Sequence, residues 1–574
     1  MAQAVFDILV PVSKIVVMLG GASAAVRITV TTVLQKFGAH DPMWDRYWPR
    51  VPWRPVWRGW TKFREWREEN FQSGQATAGK AGGLTQLALP YQEGHSLIGR
   101  VRLPFNLPYY ALVGEDSQRH KLYIASPASG KSLMLQTALA TMPDRASAFV
   151  IDPKGDHTHD VLLPLAERGH KLAVLDPLRI LPFPSHSINL LSQIRLINQR
   201  VGQDMTTMLC NRLADVAFPS GQERDPFFTN AARELWSRAM CFVLVTMRRG
   251  TMMDVRRLLT VGFIEAAPED PDLAIRMVWE AMLACPVYDG YVSSMGAEML
   301  SQDERTRANI LATVRTKTGF WDHHQVQAIS RLNNVDLCNL KNPDSNQIIS
   351  LVAPVGEMRT TLKPWFGQIT SLALAIMELI PGDLKVKTQF VLEEVQALGG
   401  GTLQGVGESF PLLRGYGAAV TAVAQDIPGL RKAFPQDWQS MIGSSQHVVF
   451  MASNDPETIQ FVSENAFGNR TVKKKKWGLP FLKAVAVYQQ PVITPDQTRR
   501  LLEAKRGNAI VMRNGKRSMI VKTALSYNTL PVWMLNPNRD HGETPARKWT
   551  RRLMARFQPE PVAQPIQQSR RARQ

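Results

Sequence analysis

Between Leu122 and Leu133 the chain reads LYIASPASGKSL: a short apolar run, a Ser/Pro/Gly turn, and the opening of a helix. No other stretch constrains the fold as much. A strand that feeds a glycine-lysine-serine turn at a helix N-terminus converges backbone N–H groups on an anion. In such loops a lysine reaches the β and γ phosphates of a nucleotide and a hydroxyl meets Mg2+. Gly130, Lys131 and Ser132 supply those parts. Ala125 stands where the generic pattern has its first glycine, so the loop alone leaves a nucleotide site and an accident of composition both open.

The surroundings of the loop decide the fold class. A helix is predicted from Lys131 to about Met142, followed by the apolar runs SAFVID (147–152) and KLAVLD (171–176). Short apolar runs alternating with helical stretches indicate a parallel sheet covered on both faces. The alternation stops near residue 193. Segments such as TNAARELWSRAMCFVLVTMRR and DERTRANILATVRTKTGF carry helical patterning, and strands return only at NQIISLVAP, TQFVLEE, GAAVTAVAQ and QHVVFMA. The expected architecture is therefore α/β, a mostly parallel sheet domain in two parts (97–195 and 331–535) split by an inserted all-α domain (196–330).

At 574 residues and 44% apolar content the chain is long enough for two or three domains with a large core. Lys and Arg number 68 against 49 Asp and Glu, a formal charge of +19 that points to a polyanionic partner, nucleic acid or an anionic membrane face. The four cysteines form no CxxC pair, which argues against a disulfide framework or a zinc site and fits a reducing compartment. Residues 1–40 contain an apolar run, 15–35, with Arg27 as its single charge, a possible membrane anchor. Residues 41–96 form a Trp/Arg-rich strap, suited to a lipid headgroup zone or to packing on the body, and a Gly-rich linker. Residues 536–574 read as a basic disordered tail.

Chemistry is concentrated at strand ends. FVLEEVQALGG ends a strand in Glu393 and Glu394, at the sheet edge where open α/β folds bind ligands. One carboxylate can hold the water shell of Mg2+ and the other can orient or deprotonate an attacking water. Gln425 ends YGAAVTAVAQ, where an amide can hydrogen-bond a γ-phosphate or its water. Asp152, Lys154 and Asp156 lie at another strand end, as site support or as a plain turn. The His pair of DHTHD (156–160) is not read as a metal site: its members face different ways on a helix and no partner cluster follows.

In this order the pieces resemble the type IV secretion coupling proteins of the TraG/TraD family, the DNA-pumping ATPases of bacterial conjugation. That family typically reads Ala-Pro-Thr-x-Ser-Gly-Lys at its loop; Ala125, Ser129, Gly130 and Lys131 agree, while Ser126 and Pro127 depart. The resemblance continues through VIDPKGD (150–156), DPFFTNAARELW (225–236), ERTRANILATV (304–314), LRGYG (413–417) and ITPDQTRRL (493–501). It implies a RecA-like P-loop ATPase using ATP and Mg2+. The loop residues Ala125, Ser126, Pro127, Ala128, Ser129, Gly130, Lys131 and Ser132 then cradle phosphate, with Ser132 and Glu393 on the metal side. Glu394 becomes the water activator, Gln425 its neighbour, and Arg414 an arginine supplied across a subunit interface. Where the family usually has Asp-Glu, this chain has Glu393-Glu394. Also implied are a homo-hexamer, single-stranded DNA as cargo, relaxase or relaxosome proteins and secretion channel components as partners, and a place at the anionic inner membrane with the ATPase body in the cytoplasm. A docking receptor for secreted effectors, with nucleotide serving assembly, and a chromosome-partition type DNA motor are the competing readings.

Overall fold

A computed structural model describes residues 95–102, 110–116, 118–143, 145–219, 226–342, 344–382, 384, 386–399, 404–475, 485–539 and 542–555. The apolar run at 15–35 and the Trp/Arg strap lie outside the described residues. Among the described residues no helix is long and apolar enough to cross a membrane.

Period-2 alternation in the central strands builds the molecule. In β3 (Lys121–Ala125), Leu122 and Ile124 face one core, while Tyr123 and Ala125 face the other. The same division runs through β4 (Ala148–Asp152), where Phe149 and Ile151 join the first core and Ala148 and Val150 the second. Strands buried on both faces suit a parallel sheet. With β5 (Lys171–Leu175), β6 (Gln347–Val352), β7 (Thr388–Leu392), β8 (Ala418–Ala424) and β9 (His447–Met451) they form a parallel array ordered β9-β3-β8-β7-β4-β6-β5.

An antiparallel extension continues that array to eleven strands. It runs from β9 through β12 (Asn508–Arg513) and β13 (Lys516–Lys522) to β1 (His95–Arg102) and β2 (Tyr110–Asp116). A separate hairpin pairs β10 (Asn469–Lys475) with β11 (Val485–Pro491). The mostly parallel sheet predicted from sequence is present, and the antiparallel flank is an addition to it.

Five helices bear on the site, the insertion and the tail: α1 (Lys131–Ala140), α2 (Thr206–Ala217), α3 (Phe227–Thr246), α4 (Lys363–Leu379) and α5 (Pro545–Ala555). Helix α1 covers the second core through Met134, Leu135 and Leu139. Between β5 and β6, residues 190–330 contain helices and, among the described residues, no strand. These helices share the first core: Leu209, Leu213, Trp236 and Met240 are continuous with Phe390 and Ile349 of the sheet. Arg212 of α2 donates to Glu378 of α4 at 2.7 Å, and Gln368 Nε2 of α4 donates to the Leu213 carbonyl at 3.1 Å.

The expected disordered tail is corrected up to residue 555. Arg551 donates to Glu543 at 2.6 Å and to the Leu535 carbonyl at 2.6 Å, and Arg547 donates to the Leu530 carbonyl at 3.3 Å. A count of basic residues reads as mutual repulsion, but here the guanidinium groups have carbonyl and carboxylate acceptors that fix the helix. Residues 556–574 lie outside the described residues.

Candidate functional site at the carboxyl edge of the sheet

The loop after β3 turns by a Ser129 N–H to Ser126 carbonyl hydrogen bond at 3.3 Å. Ala128 and Gly130 take left-handed backbone conformations (φ 59° and 84°) to deliver the chain into α1. At Gly130 the positive φ favours glycine, and an added Cβ would also displace the Leu525 side-chain tip, which stands 2.8 Å from its place. Helix α1 begins with no side-chain cap and no acidic residue in its first turn, leaving its N-terminal amides to an outside acceptor. Ser129 Oγ is buried without a hydrogen-bond partner among the described residues. An uncapped helix start beside an orphaned hydroxyl fits a bound phosphate group.

β7 ends beside this loop. Ser132 Oγ donates to Glu393 Oε1 at 2.8 Å, and Lys131 Nζ pairs with Glu394 Oε2 at 3.0 Å. Glu394 is itself left-handed (φ 60°, ψ 47°), a strain of about 1–3 kcal/mol for a residue with a Cβ. That backbone turn points two successive carboxylates at one loop. Gln425, just past the end of β8, donates from Nε2 to Glu394 Oε1 at 2.5 Å.

Two participants escape sequence reasoning. Arg359, closing the short helix Val355–Arg359 after β6, donates to Glu394 Oε1 at 3.2 Å and is half exposed. His157, fully buried, lies with Nε2 2.7 Å from Glu393 Oε2. Asp152, His157 and Glu393 bring ligand-type atoms within 4.8 Å of one another. The reading of DHTHD is correct that its two histidines diverge, since His159 turns instead to Asp160 at 2.8 Å. The missing partner of His157 is Glu393, just past the end of β7 and 236 residues away, which local spacing cannot reveal.

Electrostatics follow from these contacts. Burial works against a proton on His157, yet the charge and hydrogen bond of Glu393 and the nearby Asp152 and Asp156 prevail and raise its pKa to about 9. Burial likewise opposes ionisation of Glu393, but His157, the Ser132 hydroxyl and Lys131 bring its pKa down to about 2. Burial raises Asp152 above the usual carboxylate range, against the pull of His157. Its oxygens accept from the amides of Gly155 and Thr158 and from Thr158 Oγ1, so it secures the turn behind His157. Lys154 is exposed in that turn, and Asp156 lies 3.6 Å from Arg539.

Arg414 is not brought to this site within the chain. It is exposed in the turn before β8, with its carbonyl accepting from Lys387 Nζ at 2.8 Å. Gln425 follows the other end of that seven-residue strand, which at about 3.3 Å per residue puts Arg414 roughly 20 Å from the carboxylates.

The fold is that of a RecA-like α/β protein, with a glycine turn into a helix and paired carboxylates at the carboxyl edge of its parallel strands. The family model described as type IV secretory system conjugative DNA transfer matches residues 93–563, and the chain belongs to that family. It is a coupling protein of conjugative DNA transfer. Among solved structures it is similar to the bacterial conjugative coupling protein TrwBdeltaN70 in an unbound form, with a TM-score of 0.57 at 15% identity over 78% of this chain and 92% of that one. TrwB in complex with ADP and Mg2+ aligns with a TM-score of 0.55 at 17% identity, covering 77% and 92% of the two chains. TrwB with a non-hydrolysable ATP analogue gives 0.54 at 16% identity, with the same coverage. At such identities the likeness is one of fold. The sequence matches no curated protein.

Proposed function

We propose that this coupling protein is a Mg2+-dependent ATPase that drives single-stranded DNA, with attached protein, into a type IV secretion apparatus. It works as a homo-hexamer at the inner membrane with its ATPase body in the cytoplasm, receiving cargo from relaxase or relaxosome proteins and passing it to channel components. The observation that carries the proposal is the pairing of Lys131 with Glu394 and of Ser132 with Glu393, contacts that join segments about 260 residues apart. TrwB binds ADP with Mg2+ and an ATP analogue, which supports the same ligands here.

Each residue has a distinct task. The amides at the start of α1, Ser129 and Lys131 hold the phosphate oxygens. Ser132 and Glu393 hold Mg2+, which when bound neutralises charge on those oxygens. Without phosphate, Lys131 is engaged by Glu394; a phosphate oxygen offers it a stronger anionic partner. Glu394 then keeps its donors Arg359 and Gln425 and is free to take a proton from water, while Gln425 orients that water. Arg414 of an adjacent subunit stabilises the charge that develops on the transferred phosphoryl group.

The test is ATP hydrolysis by the purified full chain with and without single-stranded DNA. Mg2+-dependent hydrolysis that DNA stimulates and Lys131→Ala abolishes is expected. Equal rates for wild type and Lys131→Ala would refute the ATPase. Hydrolysis indifferent to DNA would favour the docking receptor.

A further inference from the structure

We propose that His157 is the positioning residue that lets a glutamate serve at position 393. It grips Oε2, so that Oε1 alone is left to Ser132 and the metal side of the loop. The inference rests on reading Glu393 as the metal-side carboxylate.

A glutamate carries one more methylene and one more rotatable bond than an aspartate, and a metal-side oxygen must stay within a fraction of an ångström of its working place. In this chain both carboxylate oxygens are held, Oε1 by Ser132 at 2.8 Å and Oε2 by His157 at 2.7 Å. Glu393 therefore has no rotamer freedom left to lose when its ligand arrives.

The support behind His157 is built in layers. Asp152 accepts from Gly155 N at 2.9 Å, Thr158 N at 2.8 Å and Thr158 Oγ1 at 2.8 Å, closing the turn that carries the histidine. Thr158 Oγ1 also meets Ser350 Oγ of β6 at 2.7 Å, which ties the turn to the sheet. The helix after the turn opens in a π conformation over Thr158–Leu162, a rare geometry that is frequent at functional sites.

His157 Nδ1 is buried and finds no hydrogen-bond partner among the described residues. Leaving such an atom unmet costs about 1–3 kcal/mol. A histidine that serves only packing would be a poor choice here. One whose other nitrogen holds Glu393 has a reason to remain.

The geometry predicts a coupling between side-chain length at 393 and the need for His157. Glu393→Asp withdraws the carboxylate by about 1.5 Å, one carbon–carbon bond, beyond reach of the imidazole. The experiment is a double-mutant cycle in the full chain, reading kcat for ATP hydrolysis and the Mg2+ concentration for half-maximal rate. His157→Ala is expected to lower kcat or Mg2+ affinity about 10- to 100-fold with Glu393 present, the range for groups that orient metal ligands. In the Glu393→Asp background the same change is expected to cost less than about twofold, because the clamp is already out of reach.

His157→Gln, whose amide can reach Oε2, is expected to recover most of the loss, and His157→Asn, one methylene shorter, is not. These two variants carry the comparison in both backgrounds if His157→Ala does not fold. Equal costs in both backgrounds, or glutamine no better than asparagine, would overturn the proposal. Wild-type hydrolysis in Lys131→Ala would instead overturn the underlying ATPase reading, and this inference with it.

Discussion

The two edges of the parallel sheet differ in charge, and two buried histidines report the difference. At the carboxyl edge His157 sits among Glu393, Asp152 and Asp156 and holds its proton up to a pH of about 9. At the amino edge His120 is lowered to about 4 by burial and by the charges of Lys387, Arg414 and Lys121. The two glutamates of the carboxyl edge are also met from several sides: Lys131, Ser132, Arg359 and Gln425 all end on them. The amino edge presents Leu412, 61% exposed, and Tyr416, 41% exposed, on either side of the exposed Arg414. One edge gathers the paired carboxylates and their donors. The other exposes the Arg414 guanidinium, which the fold does not bring to those carboxylates. Complementary edges on one molecule suit a head-to-tail ring, in which the amino edge of one copy faces the carboxyl edge of the next.

The largest expected effect breaks the comparison at the amino edge. Arg414→Ala should lower ATP hydrolysis by about 1,000-fold or more, as loss of an arginine finger does. Nucleotide affinity measured on the same protein should barely change. A matching loss of binding would place Arg414 in its own chain's site and remove the contrast.

At the carboxyl edge, Glu394→Gln should reduce hydrolysis by about 100- to 10,000-fold while ATP still binds, because the amide keeps the shape but takes no proton. Equilibrium binding of a fluorescent ATP analogue checks this. Lost binding would mean that Glu394 holds the loop together instead of serving the chemistry.

The interior joins the two edges, and Trp236→Ala tests how firmly. Trp236 is buried in α3 within the core shared by the helices and the sheet. Its truncation should lower stability by about 3–5 kcal/mol in a single denaturation transition. Two separate transitions would show the helical insertion folding apart from the sheet.

The smallest effect sharpens the comparison through pH. The folded state keeps His120 neutral down to about 4, whereas the unfolded chain takes up a proton near 6.5. Stability contributed here is therefore present above about 6.5 and is lost as pH falls toward 4, to a limit of about 3 kcal/mol. His120→Asn, which can still accept from the Val420 amide that His120 Nδ1 engages at 3.0 Å, should flatten that slope in denaturant titrations. An unchanged slope would remove His120 as the reporter of a basic edge.

What could be read from the sequence divides along the same physical lines. The strand, glycine turn and helix around Lys131 are local, and so are the strands ending in Glu393 and Gln425; α1 begins at the predicted residue. Their convergence follows from parallel strands placing their carboxyl ends along one edge. His157 and Arg359 were not legible, because each meets its glutamate beyond the end of β7 only through the fold, across 236 and 35 residues. The antiparallel flank of β12, β13, β1 and β2 unites the two ends of the described chain, a pairing that no local pattern announces. Helical periodicity pointed to an all-α insertion over 196–330, where the described residues hold helices and no strand, but periodicity says only that a face is apolar and not that it joins the core of the sheet.

The central claim is that each site is built by one chain and completed by the next, and mixing two inactive variants tests it most directly. Glu394→Gln subunits retain Arg414, and Arg414→Ala subunits retain Glu394. Co-assembled in equal amounts, they should regain about a quarter of wild-type ATP hydrolysis, the share of interfaces that pair an intact Glu394 with an intact Arg414 in a randomly mixed ring. A mixture that stays as inactive as its components would contradict the account, because it would require both residues to act within a single chain.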